Sequence, residues 1–361
     1  MIKSTRLIAL ICLTASSALL AQQQERDPLR TPGVQAGNDP KRNAFILENC
    51  ADPAAVMSNI TERPPRPPEE SVPYEIHGID NVVADGARWR SLWIETGNNA
   101  DSPIGVAEGV IVAQNDKSQV LLIRVDGRVE LLATDTYTGG ALAMTPDGSL
   151  YVGERALNRG VWQLEPRQLF ANTMNGEALE CLTTSVLNDM IADSKGGIYM
   201  TMGGQYYISP EGEVSGPYGV NQGNGIALSE DGQTLYVTGR LPGMEPPANL
   251  RLPAGAPEPS RGLISYDVQA DGSLTNERQF AWAGGDGMDI DAEGRIFVTG
   301  DGGIWVISPQ GEILGFIQSP RRLISVAFGG HDKQTLFGIA IRDVEILMMD
   351  VLTPGMKRVW E

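Results

Sequence analysis

The stretch from residue 224 to residue 238, NGIALSEDGQTLYVT, contains a short apolar strand, a turn with glycine and a second strand rich in Leu, Tyr and Val. This order is typical of a β-hairpin. It recurs in Gly140–Val152, Asn188–Thr201 and Asp286–Thr299, and more weakly from Glu108 and Ser325. The six copies start about 43 residues apart, the length of a four-stranded propeller blade. The repeat therefore predicts an all-β fold, a six-bladed β-propeller, and we expect Tyr74–Glu95 to close the ring against the last blade.

The composition agrees with one large β domain and excludes some partners. Among 361 residues there are 42 Gly and 23 Pro, and no long window free of both shows a helical period. The 45 acidic and 28 basic side chains give a formal net charge of −17, without a basic block. Because binding to a phosphate backbone needs clustered cations, we expect no nucleic-acid partner.

The N-terminus has the features of a secretory signal peptide over residues 1–21. Lys3 and Arg6 precede an apolar run that begins at Leu7, and small residues follow it. The run is shorter than the ~20 apolar residues that a membrane span needs. We therefore expect export to the periplasm or the outside of the cell, without membrane attachment after cleavage. Residues 22–72 form a polar, proline-rich N-terminal extension by composition, and residues 73–361 form the propeller.

Two cysteines remain after the signal peptide, Cys50 in the N-terminal extension and Cys181 in the propeller. In an exported protein they could form one disulfide between the two parts. Two buried free thiols are the alternative that the sequence leaves open.

Polar residues open most copies of the repeat. In a propeller the first strand of each blade lines the central channel, so equivalent opening residues converge at one mouth. Each Asn or Asp before Gly has an ordinary explanation as a turn former. Four oxygen-bearing side chains at equivalent positions of a ring favour a hard cation, most naturally Ca²⁺. We therefore predict a metal site formed by Glu108, Asn188, Asn224 and Asp286. With two histidines in the chain, a zinc site is not expected.

These segments resemble the senescence-marker-protein/gluconolactonase/LRE-like family, the six-bladed propellers that include regucalcin, gluconolactonases and drug-responsive lactonases. The resemblance covers roughly residues 105–340. It implies that the four predicted ligands bind the metal and that Asp286 is the catalytic base or nucleophile. Two positions depart from the family pattern. Glu-Gly-Val begins at Glu108 where the family commonly has Glu-Gly-Pro, and Val186 stands where the sugar-lactone members carry an arginine. We therefore expect a less polar lactone or ester as the substrate.

The resulting hypothesis is a secreted, metal-dependent hydrolase of a small-molecule lactone or related ester. The cation would polarise the carbonyl or activate water, and Asp286 would accept the proton or attack directly. A second acid such as Glu154 or Glu180 could assist, although ordinary surface positions are the simpler explanation for both. The alternative function is a non-catalytic propeller that calcium stabilises and that binds a partner or small ligand.

A proline-rich segment in the fourth blade, Leu241–Ser260, connects the second strand with the third. In an up-and-down sheet this connection lies at the mouth where the first strand begins. We therefore expect the segment to lie on the mouth side as a stiff lid over the metal site, and a plain surface insertion is the alternative.

Overall fold

The computed structural model describes residues 40–57, 69–95, 100–155, 159–219, 223–341 and 344–361. Six four-stranded antiparallel sheets are arranged as the blades of a β-propeller, which confirms the predicted fold. Blades 1 to 3 contain β2 (Ala100–Val106), β3 (Gly109–Gln114), β4 (Gln119–Arg124) and β5 (Val129–Ala133); β6 (Ala141–Met144), β7 (Leu150–Glu154), β8 (Gly160–Gln163) and β9 (Gln168–Ala171); and β12 (Asp189–Ala192), β13 (Ile198–Thr201), β14 (Gln205–Ile208) and β15 (Val214–Tyr218). A small hairpin of β10 (Thr173–Met174) and β11 (Glu177–Ala178) lies between blades 2 and 3.

Blades 4 to 6 complete the ring. They contain β16 (Ile226–Leu228), β17 (Thr234–Gly239), β18 (Arg261–Val268) and β19 (Leu274–Gly284); β20 (Met288–Ile290), β21 (Ile296–Gly300), β22 (Gly303–Ile307) and β23 (Ile313–Gln318); and β24 (Leu323–Gly329), β25 (Thr335–Ala340) and β26 (Val344–Asp350) with β1 (Arg90–Glu95). The N-terminal strand β1 pairs antiparallel with β26, from Arg90 opposite Met348 to Glu95 opposite Val344. This pairing confirms the expected closure of the ring between the two ends of the chain.

The repeated hairpins form the two inner strands of four blades. Ile226 lies opposite Val237 in blade 4, and Met288 lies opposite Val298 in blade 5. The turn glycine of each hairpin has a positive φ, 68° at Gly232, which side chains with a Cβ rarely adopt. The apolar residues on these strands are buried between neighbouring blades, so the repeat that is visible in the sequence is also the unit of packing.

The copy of the repeat in the first blade was predicted to begin at the inner strand, but in the structure it begins at the second strand. Glu108 was placed at the start of the inner strand, but it lies exposed in the turn between β2 and β3. The inner strand is Ala100–Val106, which contains Asp101, Ser102, Pro103 and a bulge, and therefore resembles a loop in sequence. Since an inner strand has a neighbour on one side only, it tolerates a proline.

The C-terminal segment closes the channel at the end where the inner strands finish. Met356 N donates to Ile290 O at 3.0 Å, Arg358 pairs with Asp289, and Arg358 and Trp360 line the channel. In the part of the chain that the structure describes, a ligand therefore approaches from the other end. We call that end, where the inner strands begin, the open mouth.

Two short helices, α1 (Pro40–Asn49) and α2 (Pro53–Met57), precede the propeller. Cys50 and Cys181 form a disulfide that joins this region to helix α3 (Leu179–Leu182), between blades 2 and 3. Of the two alternatives left by the sequence, the structure shows the bridge. None of the helices described is long and apolar enough to cross a membrane. The predicted signal peptide lies outside the described residues.

Candidate active site

Three of the predicted site residues lie together at the open mouth. Asn188, Asn224 and Asp286 each precede the inner strand of their blade. Asn188 N donates to Thr201 O at 2.8 Å, and Asp286 N donates to Thr299 O at 3.0 Å, so the second strand of each blade fixes the opening residue. These backbone bonds hold the polar side chains at the rim while the following residues enter the apolar wall of the channel.

The glycine after Asn224 and the glycine after Asp286 bring neighbouring inner strands into close contact. A Cβ on Gly225 would lie 2.2 Å from Asp286 O, and a Cβ on Gly287 would lie 2.0 Å from Ser325 Oγ. Either methyl group would push the strands apart. The Asn-Gly and Asp-Gly pairs are therefore required by packing around the channel, and they place Asn224 next to Asp286.

Asn224 presents an oxygen that the described protein groups do not satisfy. Its Oδ1 is buried and has no hydrogen-bond partner, although its backbone carbonyl accepts a bond from Thr201 Oγ1 at 2.6 Å. Leaving a buried amide oxygen unpaired costs about 1–3 kcal/mol. This oxygen is therefore available to a ligand such as a cation.

The structure adds a carboxylate, Asp101, that the sequence frame missed. Asp101 is the second residue of β2, and because Ser102 Oγ donates to Asp189 Oδ1, Asp101 lies at the level of Asn188 in blade 3. Ser102 follows with a φ of 49°, in the left-handed region that non-glycine residues seldom adopt. Strained backbone of this kind concentrates at functional sites. Asp101, rather than Glu108, therefore supplies the blade 1 carboxylate at the open mouth.

The mouth carries excess negative charge. Burial, the charge of Asp101 and the charge of Asp189 raise the pKa of Asp286 to about 7. Burial and Asp101 likewise raise the pKa of Asp189 to about 7. Burial also raises the pKa of Asp101, against the opposing charge of Arg155. Carboxylates that destabilise each other in this way are stabilised by a bound cation.

Arg155 links three blades beneath this cluster. Its Nε donates to Leu187 O at 2.6 Å, one Nη donates to Gly140 O at 2.9 Å and to Asn188 O at 2.7 Å, and that Nη lies 3.3 Å from Asp101 Oδ2. A side chain at Gly140 would occupy the place of the guanidinium, because a Cβ there would lie 2.1 Å from Arg155 Cζ. Arg155 therefore fixes the relative positions of Asp101 and Asn188. No repeat signal in the sequence could have found it.

Asp189 connects the blades one layer below the mouth. Ser102 Oγ donates to Asp189 Oδ1 at 2.8 Å, and Ile226 N donates to Asp189 Oδ2 at 3.2 Å. Ser102 Oγ in turn accepts a bond from Leu142 N at 2.9 Å. These contacts join blades 1 to 4 across the channel and support the residues at the rim.

The structure separates Glu108 from the other predicted ligands. The strand β2 begins at Ala100, with Asp101 at the open mouth, and ends at Val106, and Glu108 follows in the turn at the far end. Six residues of strand span about 20 Å. The carbonyl of Glu108 accepts a bond from Val125 N at 3.0 Å, in the turn that follows β4. Glu108 therefore lies on the face opposite the site.

The two candidate assisting acids have other partners. Glu180 is fully buried and pairs with Arg159 at 3.5 Å. Glu154 is also buried and pairs with Arg167. The expectation that both lie at the surface was wrong, since both carboxylates are buried and each pairs with an arginine.

The proline-rich segment lies on the side of the open mouth, as expected. It leaves β17 after Gly239 and enters β18 at Arg261, and these mouth-side ends pair as Gly239 with Gly262. Gln318 Nε2 of blade 5 donates to Gly255 O at 3.3 Å, and Leu252 packs against the apolar cluster between blades 4 and 5. These contacts hold the segment along blade 5.

The donor set fits a hard cation. Within the described ranges, no three His, Cys, Asp or Glu side chains lie close enough to form a metal site by themselves. The oxygens at the mouth come instead from two amides, Asn188 and Asn224, together with Asp286 and Asp101. Ca²⁺ accepts such mixed carboxylate and amide oxygens. A cation bound there would give Asn224 Oδ1 a partner and would reduce the mutual repulsion of the carboxylates.

Fold and site together define a six-bladed β-propeller with an oxygen-lined polar site at one mouth of its channel. The SMP-30/Gluconolactonase/LRE-like region matches residues 116–341, well over half of the chain. The chain therefore belongs to this family, as its sequence suggested.

Individual relatives are distant. A gluconolactonase of Zymomonas mobilis is 23% identical over 306 residues, which cover 73% of this chain and 79% of that protein. Lactonase drp35 of Staphylococcus aureus is 30% identical over 203 residues, half of this chain and 57% of that protein. The solved structure of a gluconolactonase from Xanthomonas campestris matches with a TM-score of 0.63 at 21% identity, covering 80% of this chain and 99% of that one. This last likeness shows the fold.

Proposed function

We propose that the protein is an exported, metal-dependent hydrolase that opens a lactone or a related ester at the open mouth of the propeller. It is a lactone-hydrolysing enzyme, a carboxylic ester hydrolase. Relatives named for gluconolactone or lactone hydrolysis support the reaction class. The buried, unpaired Asn224 Oδ1 beside Asp286 carries the proposal, because an oxygen without a partner next to a carboxylate is what a cation site at this mouth would require. Export rests on the signal-like residues 1–21.

Asp101, Asn188, Asn224 and Asp286 would hold the cation, most naturally Ca²⁺. When bound, the cation supplies Lewis acidity towards the carbonyl oxygen of the substrate. Asp286 accepts a proton from the attacking water, whose oxygen bonds to the carbonyl carbon. The ring C–O bond then breaks, and Asp286 returns the proton to the leaving oxygen, so that a hydroxy acid is formed.

A panel of lactones, aryl esters and phosphotriesters tests the reaction class. We expect lactones to be hydrolysed with Ca²⁺ present, and chelation to lower the rate by about a hundredfold or more, because the Lewis acid is lost. Added Ca²⁺ should restore the rate in the same sample. Calcium-dependent thermal stabilisation without turnover of any compound would favour the non-catalytic alternative instead.

Two acidic residues at opposite ends of β2 test the metal site. We expect Asp101→Asn to weaken Ca²⁺ binding at least about tenfold, since calcium affinity depends on the number of charged ligands. Calorimetric titration of the metal-free protein measures this change. The matched control is Glu108→Gln, which removes the same charge on the far face and should leave the affinity unchanged. A loss of affinity in the control, with none in Asp101→Asn, would restore the ligand set predicted from the sequence.

A further inference from the structure

Two arginines face each other where blade 4 reaches the open mouth. Arg261 is the first residue of β18, and Arg240 directly follows β17. Because Gly239 pairs with Gly262, the next residues on either side, Arg240 and Arg261, lie opposite each other. Like charges opposite each other destabilise a strand pair. Acidic side chains outnumber basic ones in this chain, whose net charge is −17, so two adjacent arginines are not explained by a contribution to stability.

Arg261 and a third arginine, Arg322, flank Asp286. Arg261 Nη1 donates to Gly285 O, the residue before Asp286, at 3.3 Å. Arg322 directly precedes β24, and Ile324 O in that strand accepts a bond from Gly287 N, the residue after Asp286, at 2.8 Å. Both arginines therefore lie beside the backbone of Asp286 at the open mouth.

These two charges are largely unneutralised. Arg322 Nε lies 3.9 Å from Asp301 Oδ1, with both side chains about half exposed, 47% and 58%. No ion pair of Arg261 occurs among the described residues. The adjacent Arg321, in contrast, is buried and pairs with Glu345 at 3.0 Å. Arg321 thus stabilises blade 6 through a buried ion pair, whereas Arg261 and Arg322 are exposed at the open mouth.

Arg240 lies next to Arg261 and beside an aromatic side chain. Its guanidinium lies 5.9 Å from the ring centroid of Trp282, which is half-buried on β19. Its Nη2 donates to Pro259 O at 3.4 Å, at the end of the proline-rich segment. Positive charge and an aromatic ring therefore lie side by side where blade 4 reaches the open mouth.

We propose that Arg261 and Arg322, with Arg240 behind them, form an anion subsite, and that the preferred substrate is a lactone that carries an ionised carboxylate away from its ring ester. This inference rests on the proposed function and specifies its substrate class. It replaces the less polar substrate that we expected because Val186 stands where sugar-lactone members carry an arginine. The positive charge comes instead from blades 4 and 6. Guanidinium groups bind carboxylates through paired, charge-assisted hydrogen bonds, and a local positive field draws an anion to an otherwise acidic protein.

A pair of lactones that differ in one group tests the subsite: a γ-lactone with a carboxylate substituent and the same lactone with a carboxamide. We expect the wild-type protein with Ca²⁺ to prefer the carboxylate at least about tenfold in kcat/KM, as one or two charge-assisted contacts allow. In the double variant Arg261→Gln/Arg322→Gln the ratio should fall to near one, mainly through KM. The control Arg128→Gln, an exposed arginine paired with Asp126 on the far face, should keep the wild-type ratio.

A wild-type ratio near one, or a ratio that the double variant leaves unchanged, would overturn the subsite while lactone hydrolysis stands. Turnover of neither lactone would contradict the proposed function instead. In that case calorimetric binding of the two compounds to wild type and double variant decides the subsite alone. Equal binding of the carboxylate to both proteins would then overturn it.

Discussion

Replacing Asp286 by Asn is expected to lower kcat/KM for lactone hydrolysis by about 10³-fold, the range over which a positioned general base contributes. The amide has nearly the same shape and keeps an oxygen for the cation, so the strands around Gly225 and Gly287 should pack as before. It cannot accept the proton of the attacking water. Steady-state kinetics with saturating Ca²⁺, together with the melting temperature, measure the effect on activity and on folding.

The control for this variant is Asp350→Asn, which removes an exposed carboxylate paired with Arg90 at the outer edge of blade 6. Its turnover should stay within about twofold of wild type, as expected for an exposed pair far from the reaction. If Asp286→Asn retained wild-type turnover with calcium still bound, Asp286 would be a ligand and not the base. If it failed to fold, binding of Ca²⁺ and of a hydroxy acid by Asp286→Glu would still test its place at the site.

The repeat made three of the site positions predictable from the sequence. Asn188, Asn224 and Asp286 precede regular hairpins, and their register follows from the alternation of apolar residues. Asp101 could not be found in this way, because β2 has a bulge, a proline and a residue of positive φ where alternation is expected. The regular strand β3 was therefore mistaken for the inner strand, and Glu108 for its opening residue.

The contacts between blades could not be predicted from the sequence. Arg155 binds the carbonyl groups of Gly140, Leu187 and Asn188, and a carbonyl leaves no side-chain signal in a sequence. Glu180 resembles an ordinary surface acid until the fold buries it against Arg159. A residue that bonds backbone atoms of another blade can therefore be identified only from the three-dimensional structure of the ring.

Removal of the disulfide, in the double variant Cys50→Ala/Cys181→Ala, is expected to lower the free energy of unfolding more than any other substitution proposed above. The bridge joins residues 131 positions apart, which places β1 and blades 1 and 2 within one closed loop. Constraining a loop of this length in the unfolded chain stabilises the folded state by about 5 kcal/mol in the chain-entropy description, and natural bridges give about 2–5 kcal/mol. Urea unfolding of the oxidised wild type and the double variant measures the difference.

The same bridge also supports the site, so its loss should reach the open mouth. Cys181 follows Glu180, whose partner Arg159 donates to Ser185 O, three residues before Asn188. A loosened α3 would leave Asn188 less firmly placed, and Ca²⁺ binding should weaken together with stability. Reductant provides the internal control, since it should lower the unfolding midpoint of wild type and leave the double variant unchanged. Equal midpoints for the oxidised wild type and the double variant would show that blades 1 and 2 hold α3 without the bridge.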